Sequence, residues 1–433
     1  MRRGTTFIAL GLALGLVSAC SSNGTGGGDK TTTQEGKDGA PSVSITPSNL
    51  AKNAEPDKGV TVTAAGGTLS RVTVTYKGRP VPGALSDDKT TWRSTWTLTP
   101  GGRYQVAATA TGAKGKTTDA TSSFQADKHV AATTISQVIP ATGEKVGVGM
   151  PILVQFSKAV PVKARPAVEK ALEITSTHPT EGAWRWLSAG ESFNGLPSVA
   201  FRPRKPWKAN QKVTITAHYA GLRIGDAVFG DKDVKHTFTI GDAHTITVNA
   251  KTDKLVVRKN GKVVRSWGVS LGSGGDVQAD GVDHLLTTSG VHLTMNKSRL
   301  ERMRPPGKKE GDPGWYDEKV PWAYRISNSG EYIHQNMDDP SCLGNRNCSH
   351  GCVRSPAGDA QWFFGWAYPG DIVTITGTKR KLAWTNGWGY WQLPFGTWTQ
   401  GGALKKPVTT APHTAAPAAG ASPTASPPVT PGA

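Results

Sequence analysis

Long apolar runs, cysteine and negative charge are all scarce in this chain of 433 residues. No apolar stretch reaches the roughly 20 residues of a membrane helix, which excludes a polytopic membrane protein. Four cysteines are too few to staple a chain of this size. Asp and Glu number 32 against 50 Lys and Arg, a formal net charge of +18. That excess suits an anionic surface, polymer or membrane as neighbour. Nucleic acid would also fit it, but the N-terminus directs the chain elsewhere and no nucleic-acid partner is expected. What is plentiful, 52 Gly and 29 Pro, breaks helical periods and excludes a long coiled coil. The length allows about three domains.

Arg2 and Arg3 precede an uncharged run, Phe7 to Ala19, which ends at Cys20. A basic start, a short apolar centre and small residues before a cut describe a secretory signal over residues 1–19. Val17-Ser18-Ala19-Cys20 resembles the bacterial lipobox, which implies cleavage before Cys20 and a diacylglyceryl thioether on its sulfur. Two acyl chains matter, because one gives only marginal, reversible attachment. An ordinary signal peptide that happens to end near a cysteine is the alternative, and Sec and twin-arginine export both stay open. The expected location is the extracytoplasmic face of the cell membrane, lipid-anchored and facing the wall, in oxidising surroundings. Residues 20–40 are rich in Gly, Ser and Thr and read as a flexible tether. The Pro/Ala/Thr-rich residues 405–433 read as a disordered tail.

Between them strands dominate, and the fold is expected to be mainly β. Across 41–127 short alternating runs recur (Val43 and Ile45; Val60 and Val62; Val72, Val74 and Tyr76; Trp92 and Trp96; Tyr104 and Val106), with Gly, Pro and Asp clusters between them. Period-two alternation with regular turns predicts an antiparallel sandwich. Residues 128–241, with Ile152–Phe156 and Val213–Ala217, predict a second. Neither block holds a catalytic constellation. The third block, 242–404, opens with strands joined at Asn260-Gly261, a pair suited to a type I′ turn. One helix is predicted there, with Ser355 as N-cap and Pro356 at its first position, ending before Pro369-Gly370. Eight of the 14 tryptophans lie from Trp315 onward; such clusters stack on sugars or, more commonly, pack cores. His284 and His292 read as strand residues with their polar groups satisfied.

The chemistry concentrates in Tyr332-Ile333-His334 and Cys348-Ser349-His350-Gly351-Cys352-Val353-Arg354. With Cys20 consumed by lipid, Cys342, Cys348 and Cys352 remain, and three thiols leave at least one unpaired. Cys342 and Cys348 flank a short, closable loop; pairing them leaves Cys352 free. A free exported thiol suggests a nucleophile, which needs an imidazole or positive potential to ionise. His334 lies 18 residues upstream on a predicted strand. Main-chain N–H groups around Gly351 and Cys352 are placed to face a developing oxyanion. Two alternatives stay open: a Cys348–Cys352 disulfide, and a zinc site built from the three cysteines and His350.

His334 followed by Ser349-His350-Gly351-Cys352 resembles the L,D-transpeptidase (YkuD-type) catalytic domain, over roughly 242–404. The resemblance also takes in Thr288-Ser289-Gly290, Tyr316 and Gly387-Trp388-Gly389-Tyr390-Trp391. The two sandwiches resemble the paired immunoglobulin-like modules of actinobacterial, membrane-anchored members. The resemblance implies Cys352 as nucleophile and His334 as its base, oriented by the main-chain carbonyl of Gln335. Ser349, His350 and Gly351 would shape the oxyanion pocket, Tyr316 would be a lid, and Arg354 would sit where a substrate carboxylate is held. It implies a cross-linking reaction on peptidoglycan stem peptides by a monomer, without metal or other cofactor. Cys342 and Cys348 are not part of the general motif and read as a loop staple. Two other outcomes remain: hydrolysis or exchange at the same site, or a catalytically silent wall-binding lipoprotein.

Overall fold

The computed structural model describes residues 30–37, 39–305, 308–312 and 315–412. Signal segment and Cys20 lie outside them, as do 413–433. In the first module the alternating Val, Ile and Tyr side chains point inward and close a core between two sheets. One sheet runs Thr32–Gln34, Ser42–Thr46, Thr61–Ala65, Thr91–Ser94, Gly83–Leu85. The other runs Arg79–Pro80, Gly67–Tyr76, Arg103–Gly112, Thr117–Gln125. Part of the expected tether is therefore strand: Thr32 pairs with Ile45 and Gln34 with Val43. Threonine suits a pleated edge, and Thr31 and Thr33 add hydroxyl contacts to Thr46 at 2.6 Å and Ser44 at 3.0 Å. Trp96 leaves this core and stacks on His218 of the next module, ring centroids 3.7 Å apart. Arg223 secures the same junction through Asp57 at 2.7 Å and Glu55 at 2.8 Å.

The second module is also a two-sheet sandwich. Its sheets run Ile135–Ile139, Ile152–Phe156, Ser198–Pro203, Glu181–Leu187 and Lys145–Val146, Val234–Ile240, Gln211–Ala217, Leu172–Ser176. Each gains one last strand from the chain's end: Val408–Thr409 pairs with Gly182 and Glu181, and Ala411–Pro412 runs beside Thr175 and Ser176. Residues 405–412 thus depart from the expected tail. Val408 packs against the second module's core, and the main chain of the segment completes a sheet edge.

The third module carries a five-stranded sheet, Lys262–Gly268, Lys254–Lys259, His244–Asn249, Ile372–Thr376, Gly290–Leu293. A four-stranded one, Lys297–Met303, Glu318–Arg325, Tyr332–Gln335, Val353–Ser355, lies beside it. Asn260 and Gly261 both take positive φ, 51° and 83°, as a type I′ hairpin requires. The helix Ala357–Trp366 buries Phe363 in one core with Ile246, Val373, Ile333 and Val353. Ser355 does not cap that helix. It ends the strand Val353–Ser355, and its hydroxyl accepts the Trp267 indole N–H at 3.1 Å. His284 lies in a loop, bonded to Asp280 at 2.9 Å, whereas His292 is a buried strand residue.

The tryptophan-rich end joins the third module to the second. Trp388, Tyr390 and Trp398 belong to the second module's core. Arg202, 2% exposed, donates from Nη1 to the carbonyls of Tyr390 at 2.8 Å and Leu393 at 3.0 Å. Its guanidinium also faces the rings of Trp391, Phe395 and Trp398. Burial pushes its pKa down to about 10. Glu169 accepts from Ala403 N at 2.6 Å and Leu404 N at 3.3 Å. Arg202→Leu strands two buried carbonyls and is expected to lower stability by about 2–4 kcal/mol, measured by urea denaturation. A midpoint equal to that of the parent would refute the clamp.

Candidate active site

Pairing of short strands assembles the site. Tyr332–Gln335 runs antiparallel to Glu318–Arg325, with Ile333 opposite Tyr324. It runs parallel to Val353–Ser355, with Ile333 opposite Val353 and His334 opposite Arg354. Side chains alternate along a strand. Ile333 and Val353 therefore enter the helix-covered core, and Tyr332, His334, Cys352 and Arg354 share the other face. There Cys352 packs against a small apolar cluster of Val320, Ala323 and Tyr332, beside Met303.

His334 is 3% exposed, and its Nδ1 lies 2.6 Å from the Gln335 carbonyl oxygen. Nδ1–H must donate there, which assigns the lone pair to Nε2. Burial pushes the imidazole down to about 4, with Arg354 adding to the effect, so the ring is neutral near pH 7. Burial pushes the Cys352 thiol up to about 12, helped by the negative charges of Glu331 and Glu318. The Tyr332 main-chain N–H, bonded to the sulfur, pulls the other way. The thiol itself donates to the Gly330 carbonyl at 3.6 Å. At rest the thiol is protonated and the imidazole neutral, with no preformed ion pair.

The turn carrying Cys352 is held by two hydroxyls. Ser349 Oγ donates to Cys352 O at 2.7 Å and accepts from Gly351 N–H at 3.1 Å. Thr287 Oγ1 donates to Gly351 O and accepts from Gly272 N–H, both at 2.8 Å. Gly351 has φ +126°, which side chains rarely adopt. Gly351 N–H, expected to face an oxyanion, is thus occupied by Ser349. The Cys352 N–H, with no partner among the described residues, is the donor left open to one.

Tyr316 stacks on His350, centroids 4.9 Å apart and planes 7° from parallel. Burial pushes its phenol up to about 12. Its neighbour Asp317 binds Arg302 at 2.6 Å and Arg304 at 2.8 Å, which fixes the base of that segment. Arg354, 6% exposed, is already paired with Asp338 at 2.5 Å. Holding a substrate carboxylate would require that pair to yield.

Cys342 and Cys348 are joined to each other, and Cys352 is the free cysteine among the described residues. This bond leaves neither partner for Cys352 and takes two of the four residues from the zinc alternative. The loop it closes is pinned further: Asn347 accepts from Leu271 N and donates to Ala250 O, both at 2.9 Å. Sequence reasoning missed Thr287, Asn347, Gly330 and Asp338. Only Thr287 had a nearby signal, the adjoining Thr288-Ser289-Gly290.

Residues 243–375 match the family model for the L,D-transpeptidase catalytic domain, and 51–223 match that for a bacterial Ig domain. L,D-transpeptidase 2 of Mycobacterium tuberculosis is 34% identical over 366 residues, covering 84% of this chain and 85% of that protein. The chain belongs to the L,D-transpeptidase family. L,D-transpeptidase 5 of the same organism is 29% identical, over 85% of this chain and 78% of its own. A solved L,D-transpeptidase from Mycobacterium smegmatis is 24% identical, with a TM-score of 0.44, covering 57% of this chain and 99% of its own. As a member of this family the protein is a transpeptidase that cross-links peptidoglycan.

A raised thiol and a lowered imidazole fix the sign of one pH dependence. The thiolate fraction of this L,D-transpeptidase grows as pH rises and is still growing at pH 9. Iodoacetamide alkylation of Cys352 is expected to accelerate about tenfold per unit between roughly pH 7 and 9. A rate already level below pH 7 would mean a thiolate–imidazolium pair instead.

Proposed function

We propose that this L,D-transpeptidase forms 3→3 cross-links between stem peptides through a thioester on Cys352. The observation supporting this most directly is the bond from His334 Nδ1 to Gln335 O, which frees Nε2 to take a proton on the face that carries Cys352. As the sulfur attacks the carbonyl of the third, diamino-acid residue of a donor tetrapeptide, its proton passes to His334 Nε2. The tetrahedral oxyanion is met by the Cys352 N–H. Collapse breaks the peptide bond, and the terminal D-alanine leaves with the proton returned by His334. A side-chain amine of a neighbouring stem then attacks the thioester, gives its surplus proton to His334, and departs as the cross-linked amide. The thiol re-forms. Two moderate barriers replace one high one.

Purified wall treated with the protein and resolved by mass spectrometry of its muropeptides tests this reading. Dimers joined 3→3 are expected with the native chain and none with Cys352→Ala. His334→Ala is expected to slow the reaction by about 10²–10⁴-fold. Tripeptides without dimers would make the protein a carboxypeptidase; unchanged dimers from Cys352→Ala would remove the thiol from the reaction.

The signal architecture and the Val17-Ser18-Ala19-Cys20 sequence support a lipid anchor on Cys20, with the catalytic module on the wall side of the membrane. Cys20→Ala is expected to move the protein from the membrane fraction into the medium. Full retention in the membrane fraction would overturn the anchor.

A further inference from the structure

Outside the catalytic module, a cleft of about 400 Å³ lies on the outer face of the first module's sheet Gly67–Tyr76, Arg103–Gly112, Thr117–Gln125. None of its lining residues is charged, in a chain whose net charge is +18. Strand register arranges them in rows. Thr75, Gln105 and Ser123 stand opposite one another across the three strands, and Thr73, Ala107 and Thr121 form the next row. Asn49 prolongs the first row, accepting Ser123 N–H at 2.9 Å.

Farther along the same sheet the polar groups satisfy each other. Thr109 Oγ1 meets Asp119 at 2.6 Å, Thr111 Oγ1 meets Ser70 at 3.1 Å, and Ser70 Oγ donates to Thr109 O at 3.1 Å. In the cleft the side-chain polar groups of Thr73, Thr75, Gln105, Thr121 and Ser123 have no hydrogen-bond partner among the described residues. They form an uncharged array of donors and acceptors open to a ligand. Neighbouring strands lie about 4.8 Å apart. A polymer crossing them at right angles meets a new hydroxyl or amide at close to the advance of one sugar ring. A peptide would instead need free main-chain groups at a sheet edge.

We propose that this face binds a neutral glycan strand, a linear chain of pyranose units lying across the three strands. It is a second contact with the polymer whose peptides the catalytic module joins, made through sugar hydroxyls and not through charge. Bound there, the glycan raises the local concentration of stem peptides around the same molecule.

Co-sedimentation with chitin, an uncharged linear chain of N-acetylated pyranose units that carries no peptide, tests the site, because that material offers the catalytic centre no substrate. The native protein and Cys352→Ala are expected to bind alike, and binding is expected to survive about 0.5 M NaCl, where charge-driven adsorption is screened. The triple variant T75A/Q105A/S123A changes only surface side chains. It is expected to keep the parent's melting temperature and lose at least about tenfold in affinity. Equal binding by triple variant and parent would overturn the proposal. So would failure of the native protein to bind, loss of binding in high salt, or dependence on Cys352. The muropeptide assay stands or falls separately, since it reads cross-links and not glycan retention.

Discussion

The hydrogen bond from His334 Nδ1 to the Gln335 carbonyl, 2.6 Å long, decides which nitrogen of a buried ring is basic. A main-chain acceptor one residue away is part of the strand that carries the ring, so tautomer and position are set together. Burial then keeps the imidazole neutral and the thiol protonated. In the mechanism proposed above neither group has to be ionised at rest; one proton passes between them when an electrophile arrives. Ser349 and Thr287 serve that arrangement by holding the turn on which Cys352 rides. A dry site makes the transfer sensitive to small displacements, and this explains why so many bonds converge on one turn.

Rigidity of that kind has to be inherited from the surrounding architecture. The catalytic module does not end where its sheet ends. Trp388, Tyr390 and Trp398 complete the core of the second module, and two short strands after them extend its sheets. Arg202 ties this segment by its carbonyl groups, a charge in the interior satisfied by dipoles and aromatic faces. The chain thus returns to a module it left about 150 residues earlier, and the returning segment lies in that module's apolar interior. Beyond them the Trp96–His218 stack and the Arg223 pairs fix the first module's junction by polar and aromatic contacts.

What the sequence disclosed was governed by range. Gly351 was legible because its φ requires glycine, and the alternating Val and Ile of the sandwiches because period two is a property of the strand itself. The type I′ turn at Asn260-Gly261 needed only two residues. Ser355 carried a helix-cap signal of equal local quality, yet its hydroxyl serves Trp267, 88 residues away. Arg354 reads as a free cation until Asp338 is placed beside it. Gly351 N–H looks available until Ser349 turns back on it. The same holds for residues 405–412: composition reports what a segment can bury, not which sheet edge its main chain will meet.

A protonated Cys352 thiol also answers a hazard created by the loop staple. Cys348 stands four residues before Cys352, bonded to Cys342. A thiolate at Cys352 would be able to attack that disulfide and exchange with it, because the thiolate is the species that opens disulfides. With the thiol pushed up to about 12, fewer than about one molecule in a thousand carries the thiolate at pH 7. The Tyr332 N–H bonds the sulfur within the small apolar cluster of Val320, Ala323 and Tyr332. Desolvation therefore has two consequences from one cause: it silences the sulfur toward the disulfide four residues away in sequence, and it leaves the sulfur strongly basic and poorly solvated once its proton is removed. A nucleophile of depressed pKa would gain in thiolate fraction and lose in intrinsic reactivity, and it would put at risk the staple that presents it.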